Sequence, residues 1–255
     1  MRKYPESVEI AGTLYNFEKI LKDDFFSVNV LYRCVTGKRY VLKLSDFRFI
    51  FGLLLRPFAA LMSSHEYKIY SMVDGLPGVP ALGPRFGFRG YYHEFIEGKT
   101  LFELKDGGRE LPDDFFDRLK TLILKIHGLR ILYLDLDKKG NVILGDDGLP
   151  YLIDYQISIH FPKCFWVFSK ISDTLLATLI REDIYHLYKH KKRYQPHLMT
   201  PEETLLAQRS GVNLAYNRYF GNWYRAAKRK IYPEGSNEII WYKWKKQKNK
   251  TDEMP

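Results

Sequence analysis

The chain has 255 residues, 45% of them hydrophobic and 16% aromatic, which is enough apolar material for one substantial core or a two-lobed pair. Its 2 cysteines, Cys34 and Cys164, are too few and too isolated for a disulfide framework or a zinc site, so a reducing compartment is expected. The net charge of +10 favours anionic partners (a nucleotide, a nucleic acid, an anionic membrane face or a phosphorylated sugar) without choosing among them. Much of the excess falls in the runs 189–193, 225–230 and 243–250, which read as solvated basic surface. Met1-Arg2-Lys3-Tyr4-Pro5 does not open a signal peptide, and the expectation is a cytoplasmic protein.

In chain order, residues 1–20 suggest a short strand or an extended lead-in around Val8-Glu9-Ile10. Residues 25–34 alternate as a strand, with Phe26, Val28, Val30 and Tyr32 against Ser27, Asn29, Leu31 and Arg33. A turn at Thr36-Gly37-Lys38 leads to a second strand, 39–44, ending Val41-Leu42-Lys43-Leu44. The most apolar stretch, 47–62, is too short and too broken by Arg56-Pro57 to cross a bilayer; it reads as a buried helix pair ahead of a membrane-docking surface. Ser63 with Glu66 three residues on reads as an N-cap starting a helix that stops at Gly75-Leu76-Pro77-Gly78. Another strand is expected over 90–95, a linker from Leu104, and an amphipathic helix over 113–130 built on Phe116, Leu119, Leu122, Ile123 and Ile126.

The densest chemistry lies in 126–156. Leu-Tyr-Leu-Asp-Leu, a polar loop and Asn141-Val-Ile-Leu are followed by a Gly/Asp turn at 145–148 and a strand delivering Asp154. Asp-Asp-Gly between aliphatic runs is a hairpin signal, so Asp135, Asn141 and Asp154 are expected to converge at the ends of one small sheet. Taken singly, Asp135, Asp137, Asp146 and Asp147 are ordinary turn residues.

As an ordered set these residues resemble the catalytic and metal-binding segments of protein-kinase-like phosphotransferases. Tyr133-Leu134-Asp135-Leu136 stands where that family has H-x-D-L, Asn141 where it has the loop Asn, and Asp154-Tyr155-Gln156 where it has D-F-G. The resemblance implies an α+β, two-lobed fold with a small, mainly β N-lobe at 1–97, a larger, mainly α C-lobe at 98–240, and a basic tail at 241–255. It implies ATP and Mg²⁺ as cofactors, Asp135 as the carboxylate facing the attacking hydroxyl, and Asn141 with Asp154 as metal ligands. Lys43 would meet the α- and β-phosphates. Glu66 is the candidate partner of Lys43, unless it only caps its own helix. Glu94-Phe95-Ile96-Glu97-Gly98 resembles the hinge, where backbone groups at Glu94 and Ile96 would bond adenine. Asp183 matches the helix Asp that braces the catalytic loop; its other reading is a helix N-terminal acid.

There are departures. The phosphate loop expected between the first kinase strands is Lys22-Asp23-Asp24-Phe25-Phe26-Ser27, with no glycine. Tyr133 stands for His and Gln156 for Gly, and there is no A-P-E. The reach from Asp135 to Asn141 is one residue longer than in common protein kinases and resembles H-x-D-L-x-x-x-x-N of a bacterial kinase-like group. Asp183 to Glu203, with the capping-box start Thr200-Pro201-Glu202-Glu203, is similar to that group as well. The likeness extends to lipopolysaccharide core kinases and RIO-type kinases. The expected function is therefore phosphorylation of a hydroxyl acceptor, such as a lipid-linked sugar at the cytoplasmic membrane face, with peripheral contact to anionic lipid. The alternatives are a serine/threonine protein kinase and a pseudokinase scaffold. Trp241-Tyr242-Lys243-Trp244-Lys245-Lys246 interleaves basic and aromatic residues but makes no strong case for nucleic acid.

Overall fold

The computed structural model describes residues 4–23, 27–46, 52–107, 111–162 and 167–208, which form two compact units in a mixed α+β fold. The middle of the glycine-free loop (24–26), the start of the apolar stretch (47–51), Cys164 and the tail from 241 lie outside the described residues.

The first unit is a six-stranded antiparallel-rich sheet in the order β1-β2-β3-β4-β6-β5, where β1 is Ser7–Ile10, β2 Thr13–Asp23, β3 Ser27–Cys34, β4 Arg39–Ser45, β5 Leu82–Phe86 and β6 Gly90–Glu94. The lead-in is thus a full hairpin, turned at Ala11-Gly12, both with positive φ. Period-two side chains Val28, Val30, Tyr32 and Cys34 of β3 and Tyr40, Leu42 and Leu44 of β4 share one buried face with Ile10, Tyr15 and Tyr92. The expected alternation is incomplete, because Leu31 and Val41, directly opposite each other on the second face, are also buried. Strands covered on both sides read as near-continuous apolar runs, and Val41-Leu42 is one.

Helix α1 spans Gly52–Val73, so the described part of the apolar stretch and the segment after Ser63 form one helix instead of two. Ser63 is not an N-cap but a buried interior residue whose Oγ has no hydrogen-bond partner. A capping signature is only a local pattern, and here the helix on its N-terminal side continues through it. Pro57 is the sixth residue of α1, past the first turn, so its missing N–H leaves the helix one backbone bond short there. Phe58 and Leu61 are exposed, 52% and 67%, so the described part of the apolar stretch is not wholly core. No helix among the described residues is long and apolar enough to cross a membrane.

The second unit holds α2 (Leu101–Gly107), α3 (Phe115–Gly128), α4 (Val167–Tyr194) and α5 (Pro201–Leu206) around a three-stranded sheet, β10-β9-β7, and a two-stranded one, β11-β8. Its strands are β7 (Gly98–Thr100), β8 (Ile131–Leu132), β9 (Val142–Gly145), β10 (Pro150–Leu152) and β11 (Ile159–His160). Where a linker was expected from Leu104, α2 forms instead. Thr100 and Glu103 cap it reciprocally, Thr100 N donating to Glu103 Oε2 (2.9 Å) and Glu103 N to Thr100 Oγ1 (3.3 Å), and Leu101 and Leu104 are buried beneath it. Helix α3 buries the stripe Phe116, Leu119, Leu122, Ile123 and Ile126, as its periodicity dictates. The run 189–193 is not all solvated surface. Lys191 is buried and binds both carboxylate oxygens of Glu203 at 2.8 and 2.9 Å, tying α4 to the capping box of α5.

Gly98 lets β7 press against β9. A Cβ there would fall on the Leu144 carbonyl and within 2.9 Å of the Gly145 Cα, both of them backbone atoms that cannot swing aside. Gly98→Ala is expected to lower stability by about 2 kcal/mol or more, read as a lower midpoint in thermal or urea unfolding.

Candidate active site

Strand β8 releases the chain into the loop 133–141, and the chemistry gathers there. Asp135 is 6% exposed. Its Oδ2 accepts from Asn141 Nδ2 at 2.8 Å and from Lys138 Nζ at 2.7 Å. The loop closes on itself through Lys138 N to Asp135 O (3.2 Å) and Asn141 N to Lys138 O (3.0 Å). Ile153 N donates to Asn141 O at 3.1 Å, which sets Asp154 beside the end of the loop. The β9–β10 hairpin, in register Leu144↔Pro150 and Val142↔Leu152, is what carries the chain from Asn141 to Asp154. Burial raises the pKa of Asp135 above the ordinary carboxylate value, and the negative charge of Asp154 adds to that. The Lys138 ammonium and the Asn141 amide pull it partway back. A buried carboxylate with a raised pKa, held by two donors at one oxygen, is suited to accepting a proton from a hydroxyl.

The backbone of the loop is held from outside by Asp183. This residue lies in the middle of α4, sixteen residues after its first, so it is not a helix N-terminal acid. Fully buried, it accepts from Tyr133 N (2.9 Å), Leu134 N (2.8 Å) and His127 Nε2 (2.9 Å). The hold matters because Leu134 has φ 63°, a left-handed conformation costly for a branched apolar residue. Asp154 is left-handed as well, at φ 66°, though Asp tolerates that region better.

Tyr133 links the loop to the segment that carries Asp154. Its hydroxyl donates to the Ile153 carbonyl, and its own carbonyl accepts from Ser158 Oγ at 2.9 Å. Its ring meets Tyr155 edge-on, with centroids 5.4 Å apart, and Tyr155 in turn meets Tyr70 of α1 at 5.1 Å. All three tyrosines are buried and all three hydroxyls are bonded, Tyr70 to Pro80 O and Tyr155 to Leu152 O. Burial raises their pKa values further, so the row is neutral.

The other predicted residues are placed as follows. Lys43 is on β4, opposite Asn29 and 9% exposed, in the first unit. Glu66 is in α1, 1% exposed, in the second. Glu94 ends β6, and its N–H donates to Ala81 O at 2.8 Å, so any backbone bond it offers adenine would come from its carbonyl. Ile96 lies in the extended stretch between β6 and β7. Three site residues escaped the sequence reading: Lys138, His127 and His190. Lys138 stands three positions after Asp135, a spacing that a search for ligand pairs alone does not flag. His127 lies at the end of α3, close in sequence to the loop, but its partner Asp183 is 56 residues on, and His190 reaches the loop from α4, so neither leaves a local signal.

No known protein family matches the chain by sequence. No curated protein matches it either. By structure it is similar to the BubR1 kinase domain, with a TM-score of 0.52 at 15% identity over 76% of this chain and 66% of that one. The match thus spans just under two thirds of that domain's chain. At this identity the likeness shows the fold, which is kinase-like.

Asp183→Ala would leave three buried donors unpaired, and an unfolding free energy lower by about 3 kcal/mol or more is expected from denaturant titration. A second expectation concerns acid. His190 Nε2 donates to Leu136 O at 2.7 Å, and burial lowers the imidazole pKa to about 4. The unfolded chain then binds more protons than the folded one between about pH 6.5 and 4, so stability falls as pH drops through that window. From pH 7 to pH 5 this residue alone removes about 2 kcal/mol, and His190→Gln should flatten the slope of stability against pH by that amount.

Proposed function

We propose that the chain is an ATP- and Mg²⁺-dependent phosphotransferase acting on a hydroxyl acceptor. The observation that carries this reading is the buried carboxylate of Asp135, shared by Asn141 and Lys138 at one oxygen, with Asp154 set beside it by the Ile153–Asn141 bond. Asp135 orients the acceptor hydroxyl and takes its proton as the oxygen forms its bond to the γ-phosphorus and the bond to the leaving diphosphate breaks. Lys138 keeps positive charge next to that carboxylate, where charge is redistributed during transfer.

Asn141 and Asp154 fit Mg²⁺. The amide nitrogen of Asn141 is committed to Asp135, which leaves its oxygen as the ligand atom, and Asp154 supplies a second hard oxygen. Among the described residues no three His, Cys, Asp or Glu side chains gather into a metal cage. A two-ligand site suits an ion that keeps water and phosphate in its shell. When bound, the ion would neutralise phosphate charge. Lys43, Glu66 and the backbone at Glu94 and Ile96 are assigned to the nucleotide on the family resemblance alone.

For the acceptor, a lipid-linked sugar at an anionic membrane face is the finer reading. It is supported by the net charge of +10 and by exposed Phe58 and Leu61 on α1.

Two variants test the proposal. ATP with Mg²⁺, at a concentration about 100 times the dissociation constant, should stabilise the wild type by about 3 kcal/mol in a thermal-shift titration, and Asp154→Ala should lose that gain. Asp135→Asn should still bind the nucleotide while phosphate transfer, followed as ADP release, falls about 10²- to 10⁴-fold. A wild type that shows no response to ATP with Mg²⁺ would reject the proposal in favour of a scaffold that keeps the fold without turnover.

A further inference from the structure

Five residues separate Asp135 from Asn141, and the first two of them are gripped by α4. His186 and His190 follow Asp183 by three and seven positions and share its side of the helix, and Lys189, three positions after His186, flanks them. Asp183 holds the backbone N–H groups of Tyr133 and Leu134, and His190 donates to the Leu136 carbonyl. Lys189 Nζ donates to Asp137 Oδ1 at 2.5 Å, and His186 Nδ1 lies 3.2 Å from the same oxygen. The next residue is Lys138, whose ammonium touches Asp135.

We propose that Asp137 is a positioning residue of the phosphotransfer site: Lys189 holds its carboxylate, with the His186 ring alongside, and that hold keeps Lys138 against Asp135. This rests on the phosphotransferase reading above. The Asp137 side chain is 58% exposed and that of Lys189 40%, so the pair contributes little to global stability, as solvated ion pairs generally do. Its effect is local. The loop is one residue longer than the common kinase pattern, and an extra residue adds backbone freedom at the point where Lys138 must be aimed. An anchor at Asp137 removes that freedom. The surroundings of Asp137 agree, since the nearby His186 ring and the Lys189 ammonium hold its carboxyl well below the ordinary range.

The experiment uses the full chain and four variants: Asp137→Asn, Lys189→Met, Lys189→Arg, and Lys192→Met as a control on an exposed neighbour. Amide hydrogen exchange is followed without nucleotide, and ATP turnover is followed with water as acceptor. Asp137→Asn and Lys189→Met should speed exchange at Lys138 and Asn141 about tenfold or more while the amides of α3 keep theirs. They should lower kcat about 10- to 100-fold with the KM for ATP unchanged. Lys189→Arg should restore both, and Lys192→Met should alter neither. Unchanged exchange at Lys138 and Asn141 in both variants overturns the proposal, and so does an unchanged kcat. A loss of stability like that of Asp183→Ala overturns it too, because the pair would then be a global brace. If Asp137→Asn fails to fold, Lys189→Met decides alone. Absence of ATP turnover in the wild type, with the exchange difference present, sinks the phosphotransferase reading and with it the catalytic meaning of the clamp.

Discussion

A single buried carboxylate holds the loop after β8 in place. Asp183 is fully buried, and a charge in that position is tolerable only because three donors converge on it: the N–H groups of Tyr133 and Leu134 and the ring of His127. Those donors come from α3 and from the loop after β8, while the acceptor comes from α4. One residue of α4 thus joins two neighbouring segments that lie about fifty residues before it, the end of α3 and the loop after β8. It also compensates the left-handed backbone of Leu134, which gives the turn that directs Asp135.

From that anchor the site is built outward in short steps. Tyr133 passes the constraint to Ile153 and Ser158, and Asn141 passes it back through the Ile153 amide. Asp154 is therefore set by bonds on both sides of its hairpin. The row Tyr70, Tyr155 and Tyr133 packs against this frame with every hydroxyl satisfied, so the segment after Asp154 has one well-defined arrangement. With Gln156 in place of a glycine, backbone rearrangement there is harder than in the D-F-G pattern it resembles.

The electrostatics follow from burial more than from net charge. Burial raises the pKa of Asp135, the negative charge of Asp154 adds to the rise, and Lys138 offsets part of it. Of the basic run at 189–193, Lys189 meets Asp137 and Lys191 meets Glu203. Part of what looks like undifferentiated positive surface in the sequence holds α4 to the loop after β8 and to α5.

Local pattern was enough for several features. The hairpin at 142–152, the α3 stripe, the capping box at Thr200 and the ordered set Asp135, Asn141 and Asp154 are all matters of residue type at short spacing, where neighbours in sequence are neighbours in space. The same local logic fails at Ser63 and at α2, because a capping signature does not say whether a helix already precedes it, and the Thr100–Glu103 cap opens a helix of only seven residues. What only the tertiary structure decided are contacts across fifty residues: Asp183 with the loop, His190 with Leu136, Lys189 with Asp137. Such bonds depend on α4 packing along the β8 loop, and no periodicity within either segment encodes the distance between them.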